Sequence, residues 1–392
     1  LSDFSSSPVQ IFLSAIVFVF GMVLSLAIRK YFKASVPRVL CLYLWHSIFC
    51  LIYIFYVVSN GGDALMYYQS GLSSDFSFSL GTSSVRFLSY FLVQYLGLSF
   101  LGCSFFFNVF GFIGLLAFDA ALREVTWYKS RTIRIWATLI VFLPSISFWS
   151  SGLGKDSLSF LAVGLALWSA LDLRHRWFLL FFSLLVMMVV RPHMAGILGL
   201  GLAGSYGMQR SVPVIHRFVL GGIAIAASAV LVPMGLSYAG LSGEVDAGAL
   251  IEYVENRQGM NLSGGSSVDI ADMNIFMKLF TYMFRPLFLD ANGIAGLASS
   301  VDNIILLLLF IAGSWAILRK RVRVMANDHN RMFLWLYSAI AWVVLASVTA
   351  NLGIALRQKW MFVPMLIFLF LSVIGRSRVT FNSKQERVVA RV

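Results

Sequence analysis

Charge is what this sequence has least of. Only 12% of its 392 residues are Asp, Glu, Lys or Arg, about half the share a soluble domain carries. Cysteine is nearly missing as well. Cys41, Cys50 and Cys103 all fall inside apolar runs, so they read as small hydrophobes and exclude a disulfide framework. No histidine falls in a run with the ligand spacing of a zinc site, so His46, His175, His216 and His329 read as structural. The sequence shows no internal repeat, which argues against a repeat-built transporter.

What fills the space is apolar. Hydrophobic residues make up 59% of the chain and the mean hydropathy is +0.84. A soluble enzyme and a disordered chain are excluded. Apolar windows fall at 9–28, 39–59, 98–120, 134–150, 157–172, 177–190, 194–207, 217–237, 301–318, 332–354 and 360–375. The expected fold is an all-α polytopic integral membrane protein of about 11 helices (10–12) forming one membrane domain over 1–392.

The formal charge is +13, and its placement decides its meaning. Alternate loops and the basic tail 376–392 hold 22 of the 30 Lys and Arg, whereas 12 of the 17 Asp and Glu lie on the other side. The faces therefore carry +17 and −4. By the positive-inside rule the basic face is cytoplasmic, the N-terminus outside and the C-terminus inside. Nucleic acid drops out as a partner, because the basicity is a topology signal that also suits anionic membrane lipids.

Chemistry then has room only on the outer face, in loop 60–97 and the larger loop 238–300. Phe87, Leu88, Phe91, Leu92 and Tyr95, following Arg86, predict an interfacial helix. Residues 245–257 predict a polar helix, and Ile275–Phe288 a segment lying on or dipping into the bilayer. Asp63, with Tyr67 close behind, follows Gly61-Gly62. It is read both as the cap of a helix starting at Ala64 and as a carboxylate able to accept a proton, two compatible roles.

Ser150-Ser151-Gly152-Leu153-Gly154-Lys155-Asp156-Ser157 reads as a Gly-rich turn opening a helix, suited to phosphate. The alternative is a snorkelling Lys155 with Asp156 or Ser157 as cap. Arg191-Pro192-His193 joins two windows of 14 residues, each covering about 21 Å. Either that turn is sunk into the protein or the bilayer thins around it. Arg285 before Pro286, Asp302 with Asn303 opening a span, and Arg357 with Lys359 opening another complete the set. Several basic side chains on an acidic face, at inward-running helix starts, call for an anion such as a diphosphate.

The run Phe142 to Ser157 (FLPSISFWSSGLGKDS), Arg191-Pro192-His193 and Phe284-Arg285-Pro286 is similar to bacterial inner-membrane proteins of surface-polysaccharide synthesis. More loosely the chain resembles Wzy and EpsG-like polysaccharide polymerases and GT-C glycosyltransferases. The resemblance implies a bacterial inner-membrane transferase taking a polyprenyl-(di)phosphate-linked sugar at the outer face. It implies Asp63 as general base. It gives the lipid diphosphate to Arg191, Arg285 and Arg357, which Lys155, His193 and Lys359 supplement. Assembly proteins such as a chain-length regulator are the implied partners. No cofactor is expected; catalysis without metal suits the cations, and a divalent ion is compatible.

Two rivals follow from the same residues. A flippase of lipid-linked glycans predicts broken helices near the bilayer midplane, whereas the charge here reads as lying toward the outer third. A non-catalytic subunit of an assembly complex is the other. A membrane O-acyltransferase fits less well, because the cytoplasmic histidines lack supporting carboxylates.

Overall fold

Apolar runs broken at glycine and proline should give helices, and they do. The structure, a computed structural model, describes residues 7–73, 78–208, 222, 273–291, 293–319, 330–349 and 351–375. Helices are α1 (Pro8–Ile28), α2 (Val36–Asn60), α3 (Asp63–Leu72), α4 (Thr82–Gln94) and α5 (Phe100–Thr126). Then come α6 (Arg131–Val141), α7 (Pro144–Ser151), α8 (Lys155–Ala170), α9 (Leu173–Val190) and α10 (Pro192–Met208). Beyond them lie α11 (Ile275–Phe284), α12 (Gly293–Leu318), α13 (Arg331–Val348), α14 (Leu352–Gln358), a 3-10 turn (Lys359–Met361) and α15 (Val363–Val373). There is no strand among the described residues.

Among the described residues seven helical segments are long and apolar enough to cross a membrane, or eight if the pair Leu352–Met361 and Val363–Val373, bent by 63°, is one span. The chain is a multi-pass α-helical membrane protein. The expected count of eleven is not reached on that criterion. Windows 157–172 and 194–207 form helices of only 16 and 17 residues. Window 217–237, the polar helix 245–257, most of loop 238–300 and the tail 376–392 lie outside the described residues.

Two expectations about length need correction. The window 194–207 belongs to a helix of 17 residues, about 26 Å long rather than 21 Å, whereas α9 kinks at Arg176 and keeps the 14 residues of window 177–190 beyond the kink. Hydropathy had dropped the charged first turn of α9, Leu173 to Arg176. Asp302 and Asn303 do not open a span either. They lie about 13 Å inside α12, because Gly293–Ser300 is already helical.

The core is built on α5 and α8. Every residue of α8 from Ser157 to Ala170 is buried. Without a hydrophobic drive in lipid, such packing depends on close backbone approach at small residues. A methyl group on Gly164 would overlap the Gly114 carbonyl, and one on Gly114 would lie 2.6 Å from the Phe160 carbonyl oxygen. Gly164→Ala should therefore push α5 from α8 and destabilise the fold by about 1–3 kcal/mol. Gly199→Ala, which meets nothing within 4 Å, is the control. Thermal unfolding in detergent reads both, and equal midpoints for the two variants would contradict this packing.

Polar contacts sort the helix ends into two groups. At one end Asp119 holds Arg38 and Arg123, and Lys33 meets Glu124 at 3.2 Å. There Lys129 donates to the Ser372 and Ile374 carbonyls at 2.8 Å. The loops after α1 and α5 thus meet the end of α15. The other end gathers the starts of α3, α8, α10 and α14.

Two of the helical segments are interrupted near their middles. Proline cannot continue a helix without losing a bond and restricting its predecessor, and Pro144 separates α6 from α7 at Phe142–Leu143. Pro364 starts α15 after the bend at Phe362.

Candidate functional site

Asp63 is set by the turn before it. Gly61 and Gly62 take φ of 78° and 150°, values open to glycine and strained for other residues. The chain reverses there and α3 begins at Asp63. Its carboxylate caps nothing: the cap position is Gly62, and no side chain caps α3. Asp63 Oδ2 accepts instead from Arg357 Nη1 at 2.9 Å, across 294 residues of chain.

Asp156 is the hub. Its Oδ1 accepts from Arg191 Nη2 at 2.6 Å, and its Oδ2 accepts from Arg357 Nε. Arg191 Nε also donates to Ser159 Oγ at 3.1 Å, one turn along α8. The expected cap role of Asp156 or Ser157 is not taken, since Gly154 holds the cap position. Lys155 does not snorkel freely, because its Nζ donates to Thr82 Oγ1 at 3.0 Å.

Arg191 is sunk as expected, at 6% exposure. The cover comes from α4. The Gly81 amide and Ser84 hydroxyl both bond the Val189 carbonyl, at 2.7 and 3.0 Å. This ties the start of α4 over the α9–α10 turn. Asp63, Asp156, Lys155, Arg191 and Arg357 thus converge from four separate parts of the chain.

Three cations facing two carboxylates leave this cluster net positive. Burial raises the Asp63 pKa, but the Arg357 guanidinium, aided by Lys155 and Arg191, outweighs it and holds the carboxyl below its usual value. Burial and the Asp63 charge together push the Tyr67 phenol up. A lowered carboxylate pKa stabilises the fold above the unfolded value, and the gain is lost as pH falls through the folded one. The thermal-midpoint gap between wild type and Asp63→Asn should be constant above about pH 4 and close as pH drops below it. A gap unchanged under acid would contradict the Asp63–Arg357 pairing.

The remaining predicted residues scatter. Tyr67 lies buried in α3 near the cluster, at 1% exposure. His193 is half-buried in the first turn of α10. Arg285 turns aside to a bidentate pair with Asp290, at 2.8 and 2.7 Å, and is not part of the cluster. Lys359 leaves it too: fully buried, its amine bonds Asn303 Oδ1, and Asn303 in turn donates to the Pro286 carbonyl at 2.9 Å. Asp302 is fully buried, with Oδ2 accepting the Ser145 amide at 2.8 Å at the start of α7 and Oδ1 unpartnered among the described residues.

Sequence reasoning missed the contacts of Ser159, Thr82 and Asn303, and it passed over the net around His46. That buried ring meets Asn108 at 2.6 Å and Ser150 at 3.0 Å, fastening α2 and α5 to the end of α7. Polar residues inside apolar helices usually have a partner. Asn108 within window 98–120 was therefore the signal available.

A cavity of about 10 Å³ lined by Trp149, Asp156, Phe160, Arg357 and Trp360 lies at the cluster, room for about one water. A larger groove of about 750 Å³ lies at the opposite end, between α9 and α10, walled by Trp177, Phe181, Leu184 and Tyr206. Its carboxylate, Asp172, already pairs with His175 at 2.9 Å, and it brings together no cluster of cations. Among the described residues no three His, Cys, Asp or Glu converge as a metal site.

No protein family, known protein or solved structure matches this chain.

Proposed function

We propose that this chain is a glycosyltransferase or polysaccharide polymerase of a bacterial inner membrane. It takes a polyprenyl-(di)phosphate-linked sugar at the outer face and transfers it to a second glycan. The reading includes the eleven-span topology, with α8 and α10 counted as spans and 217–237 as the eleventh. The N-terminus lies outside and the C-terminus inside. The observation that supports it is the convergence of Asp63 and Asp156 with Lys155, Arg191 and Arg357, roofed by α3 and α4.

Within this reading the charges divide the work. Lys155, Arg191 and Arg357 receive the diphosphate and stabilise the negative charge that grows on it as the sugar leaves. Asp63 accepts the acceptor hydroxyl proton. Its side chain is more open to solvent than those it is linked to, at 39% against 21% for Arg357 and 11% for Asp156. While paired with Arg357 it is a weak base. A diphosphate that draws Arg357 away restores its basicity, so the base is active only with donor in place. The small cavity means that α3–α4 must shift to admit the sugar.

A second reading, a flippase of lipid-linked glycans, gains from one finding. The sequence had suggested little charge at mid-depth. Yet the α14/α15 pair is bent by 63° near its middle, and α6/α7 is interrupted at Phe142–Leu143, with buried Asp302 and Lys359 beside these points. Discontinuous helices of this kind are common in transporters. Reconstitution with a lipid-linked oligosaccharide and an acceptor separates the two. Growth of the acceptor glycan is the expected result. Translocation of the lipid with no sugar transferred would replace this reading by the second.

A further inference from the structure

One cation at this end has no partner among the described residues. Arg86 makes no hydrogen bond or ion pair with the described residues, and its Nε is buried and unsatisfied. A buried guanidinium N–H without an acceptor is costly, and arginine is suited to the oxygens of a phosphate.

Its place on α4 narrows the choice of acceptor. Ser84, Val85, Ser89 and Leu92 form the buried face of α4. Phe87, Phe91 and Tyr95 are exposed at 41%, 45% and 69%. Phe91 stacks on Tyr95 with ring centroids 5.3 Å apart, and Phe78 closes on Phe87 at 5.5 Å. At about 100° per residue, Arg86 stands on the border between these faces, one turn beyond Thr82 on the same edge. Thr82 is the residue that accepts from Lys155. A cationic edge formed by Arg86 and Lys155 thus runs beside an exposed aromatic strip.

We propose that Arg86 and Lys155 form a docking site for the phosphate of an isoprenoid lipid, a station at the edge of the Asp63–Asp156 cluster that shares Lys155 with it. The isoprenoid tail lies over Phe87, Phe91 and Tyr95. The assignment rests on the glycosyltransferase reading for the identity of the lipid and on Arg86 for its place. Charge complementarity selects a phosphate, and the exposed rings select a lipid-borne one over a free anion. From this station the head group passes Thr82 and Lys155 to reach Arg191 and Arg357.

The test is equilibrium binding of a long-chain polyprenyl phosphate to the full chain in lipid nanodiscs. Arg86→Gln should weaken binding about tenfold, the loss of roughly one charge-assisted hydrogen bond. Arg86→Lys should restore part of it, and Phe91→Ser should weaken it without altering charge. The uncharged polyprenol should bind weakly. Wild-type affinity in Arg86→Gln would overturn the site. Equal displacement by phosphatidylglycerol would reduce it to a general lipid contact, and equal binding of inorganic diphosphate would remove the role of the tail. Each of these outcomes also overturns it. Should Arg86→Gln fold poorly, the competition arms on wild type decide alone.

Failure of this site and failure of the function are distinguishable. Binding that depends on Arg86, in a chain that transfers no sugar, sinks the transferase and leaves the site. An active transferase whose Arg86→Gln variant binds normally does the reverse.

Discussion

Asp156→Ala is expected to cost about 3–5 kcal/mol of stability, because it strands two largely buried guanidinium groups at once. The Asp156 carboxylate takes Arg191 on one oxygen and Arg357 on the other, with side chains 11%, 8% and 21% exposed. Removing the acceptor leaves Arg191 with Ser159 and Arg357 with Asp63 alone. Both remain charged, since guanidinium does not titrate in proteins. Like charge is then left facing like charge, with Lys155 nearby. Thermal unfolding in detergent checks the outcome, and Asp156→Asn should recover part of the loss by keeping two polar contacts. A midpoint within experimental error of wild type for Asp156→Ala would show that the hub does not hold the site together.

Asp63→Asn should behave differently, with sugar transfer reduced by about 100-fold or more while the fold survives. The reason is exposure. At 39% the side chain lies partly in solvent, where an ion pair contributes a small but measurable share of stability, the share that acid removes. The introduced amide can still accept from Arg357 through its oxygen, so the helix start and the cation stay in place. What it cannot do is take a proton. Donor binding should be unchanged or stronger, since Arg357 then meets one competing carboxylate, Asp156, rather than two. The loss should therefore appear in turnover rather than in affinity. A variant that keeps its turnover but binds donor poorly would assign Asp63 to binding and leave the base unidentified.

The sequence made some of this visible for physical reasons. Asp63, Lys155, Arg191 and Arg357 were legible because charges are rare here and each follows or precedes a helix break. The role of Asp156 was hidden. A carboxylate at the second position of a helix looks like a cap, whereas its partners lie 35 and 201 residues away, beyond any local pattern.

Lys359 illustrates a signal that was present and passed over. Residues two apart point to different faces of a helix, so Arg357 and Lys359 could not both face one cavity. Lys359 bonds Asn303 instead. The membrane-spanning helices were legible from hydropathy, except where charge trimmed them, as at the first turn of α9. The breaks at Pro144 and Pro364 were written in the sequence as prolines. The hydrogen bonds of Asp302 and Asn303 beside them depend on packing that local periodicity does not encode.

The most direct test of the account is where a lipid diphosphate attaches. A photoreactive polyprenyl diphosphate, activated with the wild-type chain in proteoliposomes and mapped by peptide mass spectrometry, should label α3, α4 and the start of α8. Excess unlabelled polyprenyl diphosphate should abolish that labelling. Labelling confined to Trp177, Phe181 and Tyr206 in the groove at the other end, or spread evenly over the lipid-facing helices, would contradict it.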